Sequence, residues 1–197
     1  MSFPFASPWP ALAAWMADAV AAEPRVPDAM QLATVDADGR PSIRTVLLKE
    51  FGPQGLVFYT NLGSQKAVEI EANPSVAVCL HWKEIGRQVV AQGRAALVDG
   101  READAYWRSR PRPSQIGGWA SRQSQEVSGR EELVARVEQA AARFADAADV
   151  PRPPFWSGFR IQPVRVEFWK NADDRLHDRW AFERGDDGTW KRRTLFP

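Results

Sequence analysis

The chain has 197 residues, 44% hydrophobic and 26% charged, with 26 basic and 25 acidic side chains and a formal net charge of +1. That length suits one domain over 1–197 with a substantial core, and the balanced charge excludes the overall signature of a nucleic-acid or anionic-membrane binder. No apolar run approaches the ~20 residues of a membrane-spanning helix, so no membrane partner is expected.

In chain order, residues 8–22 predict an amphipathic helix with Trp9, Leu12, Trp15, Met16 and Ala19 on one stripe, ended by Pro24 and Pro27. Met30–Val35 predicts a strand, Asp36-Ala37-Asp38-Gly39 a hairpin turn, and residues 41–50 the partner strand. After the Gly52–Gly55 turn comes a third strand, Leu56–Thr60, and then a short helix capped by Ser64 and stopped at Asn73-Pro74. Strands follow at Ser75–Trp82 and Arg87–Val98, and helices at 101–109 and 129–145, the second with Leu133, Val134, Val137, Ala141 and Phe144 facing the core. The stretch PRPSQIGGWASRQSQEVSG between them reads as an unusually long polar loop, and hence as a binding element. Beyond VPRPP lie strands at Gly158–Trp169, Arg179–Arg184 and Thr189–Leu195, with 158–197 completing the sheet. The sum is a mainly β, antiparallel barrel with flanking helices.

The chemistry is bounded by what is scarce. Cys79 is the one cysteine, which excludes an intrachain disulfide framework and fits a reducing compartment. The start, MSFPFASPWP, lacks the charged and apolar regions of a secretory signal, so the cytoplasm is the expected location. His81 and His177 are far apart, and no CxxC, HExxH, GxSxG or GxGxxG spacing occurs, so no metal site is expected and a cofactor should carry any difficult step. Cys79 reads as inert core and His81 as structural. Most of the nine tryptophans read as packing, and Trp169 as a candidate ligand contact.

Basic residues on strands and helix starts carry the functional signal. Arg44 and Lys49 have opposite parity and lie ~17 Å apart if extended, so either they meet two different anions or at least one is solvated. Arg175, His177 and Arg179 would share one face of an extended chain, spanning ~13 Å. They form either a donor row over an anionic planar ligand or a polar turn. Ser64-Gln65-Lys66 offers a helix start, a hydroxyl and a cation to a phosphate, although ordinary helices begin this way too. Tyr106 and Arg110, i and i+4 on a helix with Ser114 following, make either a second anion pocket or a solvated face.

Seven stretches stand in one order: RTVLLK (44–49), VFYTNLGSQK (57–66), RQV (87–89), YWRSRPRPSQIGGWASRQS (106–124), PPFWSGFR (153–160), VEFW (166–169) and RLHDR (175–179). Together they resemble the pyridoxamine 5'-phosphate oxidase family. The resemblance implies a split β-barrel FMN-binding fold and a homodimer with FMN in each of two interface clefts. It places Arg44, Thr45, Val46, Leu47, Lys49, Tyr59, Thr60, Gln65, Lys66, Gln88, Gln123, Ser124, Trp169 and Arg179 around the flavin. Lys49, Tyr106, Arg110 and Ser114 would hold the phosphate of a small pyridine substrate. Arg175 and His177 would be the catalytic pair that holds its ring. The implied reaction passes a hydride from the substrate C4' carbon to the flavin, with O2 as final acceptor and H2O2 released, yielding pyridoxal 5'-phosphate in vitamin B6 metabolism.

Three departures from the family pattern stand out. Gln65 replaces a phosphate-facing arginine, a loss of ~1.5–3 kcal/mol for a well-made charged contact. Val26 replaces an acidic residue, so a carboxylate near the substrate is expected to be missing. The chain begins close to its first helix, so any lid made by a longer leader is expected to be absent or shortened. Within the fold, the alternative is an oxidase of another reduced ring, as in phenazine biosynthesis; Lys49, Tyr106, Arg110 and Ser114 favour a phosphorylated substrate. Outside enzymes, the alternative is a non-catalytic module binding FMN or pyridoxal phosphate.

Overall fold

The computed structural model describes residues 3–22 and 25–197, so the helix stop expected at Pro24 lies outside the described residues. Helix α1 (Pro8–Ala22) buries Leu12, Trp15 and Ala19 on the expected stripe, with Met16 packed beside them. Strands β1 (Ala29–Val35) and β2 (Pro41–Leu47) pair antiparallel across the expected turn. The Asp36 carboxylate accepts the N–H groups of Asp38 and Arg40, and Gly39 takes a φ of 83°, the left-handed state such a turn needs.

Next come β3 (Glu50–Gly52), β4 (Gly55–Asn61), α2 (Gln65–Ala72), β5 (Ser75–Trp82) and β6 (Arg87–Leu97). Helices α3 (Gly100–Ser109), α4 (Arg112–Ala120) and α5 (Arg130–Arg143) follow, then β7 (Trp156–Lys170), β8 (Asp178–Arg184) and β9 (Trp190–Leu195). The sheet runs β2-β1-β5-β6-β7-β4-β3, with β8 on β7 and β9 on β8. Strand β7 pairs β6 along one edge and divides the other, giving Trp156–Ile161 to β4 and Arg165–Lys170 to β8. The path ends, β2 and β3, are not neighbours, so the barrel is split.

Met30, Leu32, Phe58, Ile161, Phe168 and Phe182 fill the barrel, each full burial worth roughly 1.5–3 kcal/mol. A second cluster, including Trp107, Ile116, Phe144 and Trp156, joins the helices to the start of β7.

Four expectations change. The strand expected over 41–50 breaks after Leu47, leaving Lys49 in the link to β3, where its N–H bonds the Val57 carbonyl. The long loop contains α4, which begins with Pro113 in its first turn and is tied down by Gln115 Nε2 donating to the Trp107 carbonyl at 2.9 Å. Helix α5 is rotated: Ala140 and Phe144 are buried and Arg136 bonds the Ala120 carbonyl, while Leu133, Val134 and Val137 are 40%, 44% and 37% exposed and Ala141 is exposed too. Ser64 precedes α2 but makes no side-chain cap bond; its hydroxyl accepts from Lys66 instead.

Candidate active site

Eleven of the expected residues line one cavity of about 500 Å³: Thr45, Val46, Leu47, Lys49, Tyr59, Thr60, Lys66, Tyr106, Arg110, Ser114 and Gln123. Arg110 sits just past the end of α3, so the expected i,i+4 helical pairing with Tyr106 does not form, yet both reach the cavity. Its guanidinium lies 5.0 Å over the Trp107 ring and 4.8 Å over that of Trp156. One of its nitrogens, Nη1, is buried with no hydrogen-bond partner. Burial lowers its pKa, but guanidinium remains charged, so the cavity wall carries a cation with no carboxylate paired to it among the described residues.

The aromatic wall depends on two glycines. A Cβ at Gly118 of α4 would lie 2.7 Å from the Trp107 ring and 3.3 Å from Arg110 Nη1, so a larger residue would push the Trp107 ring on which the arginine rests. A Cβ at Gly158 would lie 2.7 Å from the Tyr59 ring. Tyr59 thus lies flat on Tyr106, with centroids 3.9 Å apart and planes 7° apart, and stacks on Trp156 at 5.4 Å. Burial, then the charge of Glu102, raises the Tyr59 pKa, so its hydroxyl keeps its proton.

Lys66 is the second cation. Its ammonium is buried and donates to Thr60 Oγ1 at 3.2 Å, Ser64 Oγ at 3.1 Å and Gln123 Oε1 at 2.8 Å, all neutral oxygens. Burial, reinforced by Arg44 and opposed by Glu69, pushes its pKa down to about 8. Around it the cavity adjoins a depression lined by Arg44, Gln65 and Ser124, and Ser124 has a φ of 72°. Arg44 donates to Thr34 Oγ1 and, at 3.0 Å, to Glu69. Burial would raise the Glu69 pKa, but hydrogen bonds from Thr34, Ser42, Gln65 and Arg44 outweigh it and hold the carboxyl at about 2. Gln65, in place of the expected arginine, bonds Ser42 at 3.1 Å and Glu69 at 2.8 Å.

The donors of this cavity match the demands of a flavin mononucleotide and a phosphorylated ring. Lys66, bonded only to neutral oxygens, suits one phosphate, and the unsatisfied Arg110 suits another.

The remaining expected residues lie elsewhere on the chain. Gln88 and Arg179 flank Trp169 on neighbouring strands, and the His177 ring centroid is 4.7 Å from that of Trp169. Tyr59 pairs with Gly158, eleven residues back along β7 from Trp169, or roughly 35 Å of strand. Within one chain, therefore, Gln88, Trp169, Arg175, His177 and Arg179 line neither the cavity nor the depression. The run 175–179 is extended only at its end: a single 3₁₀ turn spans Asp173–Arg175, Asp174 and Arg175 have φ of 54° and 61°, and Asp178 and Arg179 begin β8. His177 Nδ1 accepts the Ala172 N–H at 3.2 Å, which leaves Nε2 to carry the proton of the neutral ring. Arg179 is held by Glu167 at 2.8 Å and by the Phe196 carbonyl at 3.0 Å. Among the described residues, the three non-glycine residues with positive φ, Ser124, Asp174 and Arg175, all fall in these two regions.

Two structural findings amend the sequence reading. Val26 brings no carboxylate, but Asp28, two residues on, meets Lys49 Nζ at 2.7 Å at the edge of the cavity. Trp156, Asn61, Ser121 and the Gly117-Gly118 pair also line the cavity; all stand inside the quoted motifs, but only the folding of the helices against the start of β7 brings them together. Cys79 is half-buried and burial pushes its thiol pKa up, while His81 is exposed on β5.

Comparison with known proteins follows the same outline. The family model for pyridoxamine 5'-phosphate oxidase matches residues 16–144, and that for the pyridoxine 5'-phosphate oxidase C-terminal dimerisation region matches 156–197. The chain is 49% identical over 193 residues to the pyridoxine/pyridoxamine 5'-phosphate oxidases of Brucella canis and Brucella suis, covering 98% of this chain and 95% of theirs. Among solved structures it is similar to PhzG from Burkholderia lata in complex with tetrahydrophenazine-1-carboxylic acid, with a TM-score of 0.91, 34% identity and coverage of 98% and 94%. An FMN-binding, pyridoxamine 5'-phosphate oxidase-related protein from Nostoc punctiforme shares the fold at a TM-score of 0.77, 21% identity and full coverage of both chains. The chain belongs to the pyridoxamine 5'-phosphate oxidase family.

Proposed function

We propose that this protein is an FMN-dependent oxidase that converts pyridoxamine or pyridoxine 5'-phosphate to pyridoxal 5'-phosphate, acting as a cytoplasmic homodimer. The observation that carries the reading is the pairing, in one cavity, of a half-buried guanidinium with no paired carboxylate among the described residues and a buried ammonium bonded only to neutral oxygens. Arg110, with Lys49, Tyr106 and Ser114, would take the substrate phosphate. Lys66, with Thr60, Gln123, Ser124 and Arg44, would take the flavin phosphate. Thr45 to Leu47 would border the flavin ring.

Bound FMN would supply the two-electron acceptor and pass those electrons to O2. Alcohol and O2 give aldehyde and H2O2; the amine also consumes water and releases ammonia. The protein's share is placement: two anchored phosphates convert a bimolecular encounter into a local one. Arg175 would orient the ring and favour developing negative charge rather than take a proton, because guanidinium stays protonated. His177 would meet the ring through Nε2, its Nδ1 being engaged by Ala172.

Since Arg175, His177, Trp169, Gln88 and Arg179 lie a barrel length from the cavity of their own chain, the complete site needs a second copy to bring them there. The match of 156–197 to a dimerisation region supports that arrangement.

The likeness to PhzG, solved in complex with tetrahydrophenazine-1-carboxylic acid, favours a second reading: oxidation of another reduced ring. Anaerobic mixing of the flavin-loaded protein with pyridoxamine 5'-phosphate separates the two. Bleaching of the flavin band, reversed by air with formation of aldehyde, is the expected result. A flavin that stays oxidised with this substrate would defeat the assignment.

A further inference from the structure

Lys49 and Arg110 line the same cavity but are compensated differently. Arg110 leaves a buried nitrogen unpartnered, whereas Lys49 Nζ holds the Asp28 carboxylate at 2.7 Å. Two other carboxylates touch residues of the site, and each is committed elsewhere. Glu102 takes two contacts from Arg160 at 2.7 and 2.8 Å, and Glu69 accepts from Thr34, Ser42, Gln65 and Arg44. Among the described residues Asp28 has the single side-chain partner Lys49, and both side chains are about a quarter exposed, at 29% and 26%.

The backbone around Asp28 is pinned without help from that carboxylate. The Asp28 carbonyl accepts the Leu48 N–H at 2.8 Å, the Val26 carbonyl accepts that of Ala29 at 3.0 Å, and the Pro27 carbonyl accepts Trp82 Nε1 at 2.8 Å. The side chain can therefore swing to water while the turn that carries it stays in place.

A phosphate ester arriving at Lys49 meets this carboxylate at contact distance. Two anions on one ammonium repel strongly where water is partly excluded, so one of them must leave. We infer that Asp28 is a built-in competitor for Lys49: a phosphate-bearing ligand displaces it on binding, and its return helps expel the product. The inference rests on the reading of Lys49 and Arg110 as the substrate-phosphate pocket. It deepens that reading by making the pocket one open cation beside one guarded cation, which attracts a phosphate without clamping it.

The test uses the flavin-loaded protein and its Asp28→Asn, Asp28→Ser and Arg110→Met variants, each checked for flavin content and thermal melting. Affinity is measured for pyridoxal 5'-phosphate, for inorganic phosphate as a competitive inhibitor, and for pyridoxal, which lacks the phosphate. Asp28→Asn is expected to tighten both phosphate ligands about tenfold, chiefly by slower dissociation. Pyridoxal affinity is expected to change far less than that of either phosphate ligand, and Asp28→Ser should follow Asp28→Asn. If both Asp28 variants bind phosphate ligands no better, or worse, while Arg110→Met weakens them, Asp28 holds Lys49 in position and the competitor role is overturned with the pocket intact. If Arg110→Met leaves phosphate binding unaltered, the pocket reading itself falls.

Discussion

The cavity wall and the 171–179 segment are built on opposite plans. Around Arg110 and Lys66, every functional side chain rests on a packed neighbour: Trp107 and Trp156 beneath the guanidinium, Tyr59 on Tyr106, and three oxygens around the ammonium. Around Arg175, the side chains from Asp173 to Leu176 are exposed, two consecutive residues are left-handed, and Leu176 is 70% exposed. The first region is held by packing within one chain. The second is shaped more by its backbone than by a core, and under the proposed function it would meet ligand only when a second copy presents it. Substrate and flavin affinity should therefore be set mainly by the first region, and turnover by the second.

The strongest challenge to that division is Arg110→Met. It keeps the aliphatic packing on Trp107 and Trp156 and removes the open cation, so KM for pyridoxamine 5'-phosphate should rise about a hundredfold. Flavin content should not change; joint loss of flavin would mean that the two phosphate sites are not separable. Arg175→Leu comes next. Turnover should fall about tenfold or more with flavin retained, since the exposed loop supports no packed element. Loss of flavin with normal oxidation once flavin is resupplied would reverse the roles of the two regions.

A subtler effect follows from Lys66, whose pKa is about 8 against an ordinary 10.5. Below pH 8 the ammonium is charged and can hold a phosphate, so the affinity of the flavin-free protein for FMN should decline as pH rises through 8. Over the same range, from about 8 to 10.5, the unfolded chain binds the proton that the folded chain has lost, so the flavin-free fold should gain stability. Titration of FMN and thermal melting across this window should show opposite slopes, and Lys66→Met should flatten both. The smallest effect is at Asp174, where φ is 54°. Asp174→Gly should raise the melting temperature by about 2 °C by relieving a left-handed residue. An unchanged or lower value would show that the loop carries no strain.

Much of this was legible in the residues. Strand β1, the hairpin at Asp36–Gly39 and strand β5 follow from alternation and turn chemistry, which are local. The motif order located eleven cavity residues although they come from distant segments. What escaped is set by tertiary contact. Helix α4 was hidden by its glycines, yet Gly118 is there because Trp107 and Arg110 occupy the space of a side chain. The exposed side of α5 depends on where α4 packs. Asp28 gave no local sign of reaching Lys49, because twenty-one residues separate them and only the β1–β2 pairing brings them together. Trp156 stood inside a recognised motif, but its part in holding Arg110 needed the coordinates.

Strand β7 gives this layout a rigid ruler. Its first half carries the partner of Tyr59 and its second half the partners of Gln88 and Arg179, so their spacing is counted in peptide units along one unbroken segment. Val164 is the one spare unit: the β6 register passes from Pro163 opposite Gly93 to Arg165 opposite Gln92, so Val164 is bulged out and its loss would let the pairing run on with both halves aligned. A residue gained in either regularly paired half has no such outlet and would turn every later side chain to the opposite face of the sheet.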